Sequence, residues 1–177
     1  AADTQHPQGV LCVVKQQEER RESEGTPLIL ILEHLQDPGN LGTIFRTAEA
    51  AGVTEIILSD DCVDIYNPKV IRSTMGSIFR MPFVHVPDLP AEIAELKRRG
   101  VKTCAAHLSG KYAYEKVNYS GPTAFLIGNE GNGLSDGLTA AADVKVLIPM
   151  AGQVESLNAS IAAAVLMFEA ARQRRDV

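Results

Sequence analysis

The sequence predicts an α/β fold in which a mostly parallel sheet is flanked by helices. Short runs rich in Ile, Val and Leu recur along the chain, and such continuous apolar runs are typical of strands buried on both faces of a parallel sheet. Stretches with helical spacing of apolar residues lie between the runs, and this alternation indicates the α/β class. The chain has 177 residues, which is enough for one domain with a buried core.

Six apolar runs predict the strands of the sheet. They are Leu28–Leu32, Glu55–Leu58, Pro82–Val86, Lys102–Ala106, Thr123–Ile127 and Val144–Ile148. A shorter apolar run at Val10–Val14 predicts an edge strand within a lead-in segment, residues 1–25, that also carries a charged run. The main domain is therefore predicted to span residues 26–177.

Four helices are predicted between and after the strands. They are Leu41–Ala51, Pro90–Arg99, Leu134–Ala142 and Asn158–Arg174. Asn40 is placed to cap the first of them, and Gly52 to end it. In the last helix, Ile161, Val165 and Phe168 have the spacing of a packed face.

Composition narrows the classes of function. The net charge of −5 counts against a nucleic-acid binder, so any RNA phosphates would have to meet a local basic patch, a partner subunit or a further domain. No apolar run approaches the roughly 20 residues that cross a bilayer. The three cysteines have no metal-ligand spacing; Cys12 and Cys104 are predicted to be core residues, and the compartment to be a reducing cytoplasm.

The first informative loop, residues 33–46, follows a predicted strand. It turns at Asp37-Pro38-Gly39 and enters a helix, with Arg46 about one turn into that helix so that its guanidinium can reach back toward the loop. For this loop taken alone, the structural alternative is a capped helix with a solvated arginine.

The second loop, residues 128–134, places Gly128, Gly131 and Gly133 around Glu130 between a strand and a helix. Glycine permits positive φ and close approach of the backbone to a ligand. The order G-x-x-G-x-G differs from the G-x-G-x-x-G dinucleotide fingerprint, which disfavours a nicotinamide site. A ligand loop is favoured, and a plain turn is the alternative.

The third loop, residues 148–160, leads from the last strand into the final helix. Ser156 and Asn158 are each suited to cap that helix. His107 ends a strand near the predicted pocket, whereas His34 and His85 are interpreted as packed or solvated side chains.

Residues Asn40–Gly52, Ile127–Leu134 and Ile148–Ser160 resemble the three signature motifs of the SpoU (TrmH-type) RNA ribose 2′-O-methyltransferases of the SPOUT superfamily. Val70–Arg80 resembles a further segment common in that family, and the resemblance covers about Thr26–Arg175. It implies a C-terminal deep trefoil knot, formed from about residue 123 onward, that joins the second and third motifs into a cofactor pocket. General topology rules would have favoured an open sheet.

The resemblance also implies an activity, namely transfer of a methyl group from S-adenosylmethionine to a ribose 2′-hydroxyl in structured RNA. The residues implied to contact the cofactor are Gly128, Ile148 and Leu157, and Met150 and His107 are predicted to join them. Arg46 is implied to be catalytic, with the site around it shaped by Asn40, Glu130, Ser156 and Asn158. Arg46 either accepts the hydroxyl proton or stabilises the developing alkoxide; both roles stay open.

A homodimer through the knot region is implied as well, with Arg46 acting within one subunit or across the interface. Methyl transfer itself needs no metal, and the sequence shows no cluster of His, Asp and Glu suited to bind one. Within the lead-in segment, Gln8–Leu11 looks like the junction at which relatives join a ribosomal-protein-like RNA-binding domain, which favours rRNA. The open alternatives are a relative that methylates a tRNA ribose or a base, a non-catalytic knotted RNA-binding module, and a generic Rossmann nucleotide binder.

Overall fold

The computed structural model describes residues 9–10, 12–16, 18–21, 25–129 and 131–175. The strands are β1 (Leu28–Leu32), β2 (Glu55–Ser59), β3 (Phe83–Val86), β4 (Lys102–Ala106), β5 (Tyr112–Ala113), β6 (Thr123–Ile127) and β7 (Val144–Leu147). The helices are α1 (Pro38–Ala51), α2 (Pro68–Thr74), α3 (Leu89–Arg98), α4 (Asp136–Ala141) and α5 (Ala159–Arg175), with 3₁₀ turns at Ser77–Phe79 and Tyr114–Lys116.

The seven strands form one sheet in the order β3-β2-β1-β6-β4-β7-β5, and all six strand pairs are parallel. β1 and β6 lie side by side in the middle and are buried along their whole length. Since parallel strands end at the same edge of a sheet, the loops after β1, β4, β6 and β7 converge there.

Helices cover both faces of the sheet, as the α/β prediction requires. α1, α2 and α5 pack on one face, where Phe45, Val70 and Leu166 belong to one buried cluster. α3 and α4 pack on the other, through a second cluster that includes Leu96 and Leu138. The predicted fold class is therefore confirmed.

The six predicted strands are confirmed to within about one residue at each end, whereas α2 and β5 were not predicted. α2 is a seven-residue helix whose cap, Asn67, accepts a hydrogen bond from the backbone N–H of Lys69 at 2.9 Å. β5 contains two residues, too few for a hydrophobic pattern.

The predicted edge strand at Val10–Val14 is wrong for the residues described there. Val10 and residues 12–14 have no strand structure, and the Val13 side chain is 93% exposed. The charged run borders the sheet instead: the Arg20 N–H donates to the Phe83 carbonyl at 3.1 Å, and the Glu19 carboxylate accepts from the His85 N–H at 3.0 Å. These polar contacts occupy the outer edge of β3, so that edge is not available to the apolar run.

The two predicted core cysteines have different environments. Cys12 is exposed, so its predicted core position is wrong. Cys104 is buried in the sheet, and burial raises the pKa of its thiol to about 12. A thiolate nucleophile at Cys104 is therefore disfavoured, because a thiol with that pKa stays protonated near neutral pH.

The last helix packs through a different face from the predicted one. Ile161 and Phe168 are each 50% exposed, and the buried face carries Ala163, Leu166 and Met167 instead. The alanines let α5 lie close to α1, which it contacts. The prediction failed because apolar residues lie on both sides of this helix, so spacing alone did not identify the packed side.

Two further findings concern the described ranges as a whole. No helix in them is long and apolar enough to cross a membrane, and no group of three or more His, Cys, Asp or Glu side chains in them is arranged to hold a metal ion. The division at residues 25 and 26 and the C-terminal knot remain predictions. Residues Gln8 and Leu11 of the predicted junction lie outside the described residues.

Candidate active site

A cavity of about 310 Å³ lies at the carboxyl edge of β4, β6 and β7. Its volume is in the range of small-molecule sites in proteins. All five residues predicted to bind the cofactor line it: His107, Gly128, Ile148, Met150 and Leu157. The sequence prediction thus selected residues from three separate loops that the fold brings together.

Gly128 allows the second loop to fold back on itself. A Cβ atom at Gly128 would lie 2.1 Å from the backbone carbon of Gly133 and 2.2 Å from the backbone nitrogen of Leu134. Gly133 itself has φ +69°, a left-handed conformation that side chains disfavour. The loop therefore requires glycine at both positions, and its exposed backbone forms part of the cavity wall.

Asn129 holds this loop closed. Its backbone exchanges two hydrogen bonds with Gly133, at 3.0 and 2.8 Å, and its side-chain oxygen accepts from the Gly131 N–H at 2.8 Å. The side-chain amide donates to the carbonyl of His34 at 2.8 Å, which connects the second loop to the first. Glu130, the predicted acid of this loop, lies outside the described residues.

A buried carboxylate makes a second connection between the same loops. Glu33, at the end of β1, accepts hydrogen bonds from the backbone N–H and the hydroxyl of Ser135, at 2.7 and 2.6 Å. Ser135 also caps α4. Burial of a carboxylate is costly without such donors, so this pair fixes the two loops relative to each other.

The first loop also places a histidine beside two acids. His34 has φ +53°, and its ring is paired with Asp61 and lies 3.9 Å from the Glu33 carboxylate. Partial burial favours a higher pKa for Asp61, but a hydrogen bond from Ser59 and the adjacent His34 outweigh it and lower that pKa. The interpretation of His34 as a packed or solvated side chain thus did not include this contact with Asp61 next to the site.

His107 follows β4 and contributes to the cavity wall. Its Nδ1 accepts hydrogen bonds from the backbone N–H and the hydroxyl of Ser109, at 3.0 and 2.8 Å. Its backbone N–H donates to the Val146 carbonyl at 2.9 Å. Because Nδ1 is occupied as an acceptor, Nε2 is the ring nitrogen left for another group.

The third loop is joined to the first by a pair of asparagines. The Asn158 amide donates to the Asn40 side-chain oxygen at 2.9 Å, across 118 residues of sequence. The Asn158 oxygen accepts from the N–H and the hydroxyl of Ser160, at 2.9 and 2.6 Å, and thereby caps α5. The capping prediction is confirmed for Asn158, whereas Asn40 is the third residue of α1, which begins at Pro38 and is capped by Asp37.

We expect Asn158→Ala to lower the free energy of unfolding by about 1 kcal/mol, the usual cost of losing an N-cap. Asn158→Asp keeps the oxygen that accepts from Ser160, so the free energy of unfolding should be retained. The same variant loses the amide that donates to Asn40, so the activity should still fall. Chemical denaturation beside an activity assay separates the two effects. Equal stability of the alanine variant and the wild type would contradict the capping role.

Arg46 lies further into its helix than predicted. Because α1 begins at Pro38, Arg46 is its ninth residue, more than two turns from the start rather than one. Its side chain is exposed, and within the part of the chain that is described it has no hydrogen-bond or ion-pair partner.

Ser156 is exposed and lines the cavity. Arg46, Asn40 and Asn158 are not among the residues that line it.

Sequence reasoning missed Glu33 and Asn129 as residues that organise the site. An acid at the end of an otherwise apolar strand was the available signal for Glu33. Asn129 stood between Gly128 and Glu130, and its ability to donate and accept at once was the signal there.

Comparison with known proteins identifies relatives of the chain. The model of the SpoU rRNA Methylase family matches residues 27–168. A 23S rRNA (guanosine(2553)-2′-O)-methyltransferase of Bacillus subtilis is 38% identical over 94% of this chain and 66% of its own length.

Two solved structures share the fold. The SpoU methyltransferase AviRb from Streptomyces viridochromogenes, in complex with AdoMet, has a TM-score of 0.82 and 34% identity, over 88% of this chain and 63% of its own. An AdoMet-bound rRNA methyltransferase from Sinorhizobium meliloti has a TM-score of 0.78 and 38% identity, over 86% of this chain and 58% of its own. This chain thus spans 66% or less of the length of these three relatives.

Proposed function

The chain belongs to the SpoU rRNA methylase family, and from this membership we propose that it is an S-adenosylmethionine-dependent methyltransferase that acts on a ribose 2′-hydroxyl in rRNA. The observation that carries the proposal is the cavity at the carboxyl edge of the sheet, lined by the five residues predicted to bind the cofactor. The name of the Bacillus subtilis relative favours rRNA over tRNA. A cytoplasmic location is proposed with it.

The cavity suits S-adenosylmethionine in size and lining. Its wall combines backbone from the glycine loop with the apolar side chains of Ile148, Met150 and Leu157. A side chain at Gly128 would fill the space into which the loop folds. When bound, S-adenosylmethionine supplies an electrophilic methyl group.

We assign the binding of the RNA ribose and the stabilisation of its reacting oxygen to residues outside the cavity wall. An exposed guanidinium without a partner among the described residues is available to bind a phosphate and a ribose oxygen together. Arginine is protonated in proteins, so Arg46 is better suited to stabilise the developing alkoxide than to accept the hydroxyl proton, which leaves to an RNA phosphate oxygen or to solvent water. The Asn40–Asn158 pair holds the start of α1 against the third loop and so positions Arg46 relative to the cavity.

Calorimetric titration tests this proposal at the cofactor step. S-adenosylmethionine should bind at about one site per chain, and NADH, the control ligand, should not. A folded chain that fails to bind S-adenosylmethionine at millimolar concentration would contradict the proposal and favour the non-catalytic module.

We also propose a homodimer in which α5 contributes to the interface. Ile161 and Phe168 are each half-exposed and lie two turns apart on the side of α5 opposite its buried alanines, and Val165 lies between them. An apolar stripe of this kind is typical of a subunit contact. This helix belongs to the predicted knot region.

We expect the double variant Ile161→Glu/Phe168→Glu to be monomeric by light scattering at micromolar concentration, because two buried carboxylates would oppose association. Ala140→Glu, at an exposed position of α4, is the control and should remain dimeric. A wild-type chain that is already monomeric would contradict the proposed dimer.

A further inference from the structure

We infer that the outer face of α1 and residues 68–80 is the surface that holds the phosphate backbone of the RNA next to Arg46. This inference rests on the proposed function and names the part of the chain that binds its substrate. Because the chain has a net charge of −5, binding to RNA phosphates requires its basic residues to be concentrated on one part of its surface.

The charge of the chain is distributed unevenly. Residues 38–51 and 68–80 contain the basic residues Arg46, Lys69, Arg72 and Arg80 and one acid, Glu49, a net charge of +3. The rest of the chain therefore carries −8. Glu49 is paired with Arg80, with one contact of 3.0 Å, so the acid of this surface is already neutralised.

The packing of the two segments places two of the remaining basic residues, Arg46 and Lys69, near one contact between α1 and α2. A Cβ at Gly42 would lie 2.3 Å from the Ser73 side chain, so α1 and α2 are in close contact there. Arg46 is one turn after Gly42 on α1, and Lys69 is one turn before Ser73 on α2. Both therefore lie within about one helical turn, roughly 5 Å of rise, of the same contact.

Three basic side chains of this surface are available to a ligand. Arg46, Lys69 and Arg72 are exposed and, among the residues described, have no side-chain hydrogen-bond or ion-pair partner. Guanidinium and ammonium groups bind phosphate oxygens through charge-assisted hydrogen bonds. An RNA strand is thus the complementary partner by charge.

The same surface offers apolar contacts for unstacked bases. Met75, which directly follows α2, is 68% exposed, and Phe79, in the next 3₁₀ turn, is 55% exposed. Met75 has φ +50° because it forms the left-handed C-cap of α2, where its backbone N–H donates to the Arg72 carbonyl at 3.3 Å. Single-stranded RNA is recognised by basic grooves combined with such surfaces, on which bases stack.

Binding of a labelled oligouridylate to the full chain tests the inference. The double variant Lys69→Ala/Arg72→Ala should bind the RNA roughly tenfold more weakly. The slope of log K against the logarithm of the salt concentration should become less steep by about 1.4, which is the value for two lost contacts to single-stranded phosphates. Binding of S-adenosylmethionine should not change. The matched control is Lys111→Ala/Lys145→Ala, which removes two lysines from a separate cleft between β7 and α4 and should leave RNA binding unchanged.

Several results would overturn the inference. These are no binding by the wild type at low salt, no effect of Lys69→Ala/Arg72→Ala, an equal loss in the control pair, or a change of oligomeric state in place of a change in RNA affinity. Failure of the proposed function gives a different result. A chain that binds RNA through this surface but transfers no methyl group would contradict the methyltransferase activity and still support the RNA-binding surface.

Discussion

Arg46→Ala is expected to reduce methyl transfer by at least about 10²–10³-fold, the range found when one preorganised donor to a developing oxyanion is removed. The side chain is exposed and, within the described residues, makes no hydrogen bond or ion pair, so the fold does not depend on it. S-adenosylmethionine affinity and the free energy of unfolding should therefore match those of the wild type.

Single-turnover transfer at saturating cofactor and RNA is the measurement for this variant. Arg98→Ala removes another exposed arginine and should have full activity. Arg46→Lys distinguishes a planar, two-pronged contact from a point charge, because lysine preserves the charge and loses the fork. Wild-type turnover by Arg46→Ala would exclude Arg46 from the mechanism, and near-full activity of Arg46→Lys would exclude the requirement for the fork.

Gly128→Ala is expected to weaken S-adenosylmethionine binding by roughly 100-fold or more, about 2.7 kcal/mol. The added methyl group would lie 2.1–2.3 Å from three backbone atoms of Gly133 and Leu134. Backbone cannot be displaced by a change of rotamer, so the loop must open and the cavity wall must move.

Isothermal titration, together with thermal unfolding, tests this expectation. The control is Gly137→Ala, because a Cβ at that position of α4 meets no atom within 4 Å. If Gly128→Ala unfolds cooperatively but no longer binds the cofactor, the variant is folded and the loss of binding is due to the loop. Unchanged affinity would show that the closed form of this loop is not the form that binds.

The sheet could be predicted from the sequence because its strands are buried on both faces. β1 is an uninterrupted apolar run, and β6 is apolar from Ala124 to Ile127, as expected for strands that are covered on both faces. α2 could not be predicted in the same way, since it has only seven residues, three of them β-branched, and its position depends on the contact of Ser73 with Gly42.

The site was predictable only in part. The residues around the cavity were selected through a family resemblance, and the fold brings them together at one edge of the sheet. The hydrogen bond between Asn40 and Asn158 joins positions 118 residues apart, a distance that no local pattern encodes. Glu33 was missed because a buried carboxylate is recognised by its donors, which here come from Ser135, far away in the sequence.

The central claim is tested most directly by incubating the chain with methyl-labelled S-adenosylmethionine and either rRNA or tRNA, and then locating the label by nuclease digestion and mass spectrometry. The account predicts label on a ribose 2′-oxygen of a nucleotide in rRNA, with none transferred by Arg46→Ala. Label on a base would contradict it, and so would the absence of transfer to either RNA by a chain that binds the cofactor.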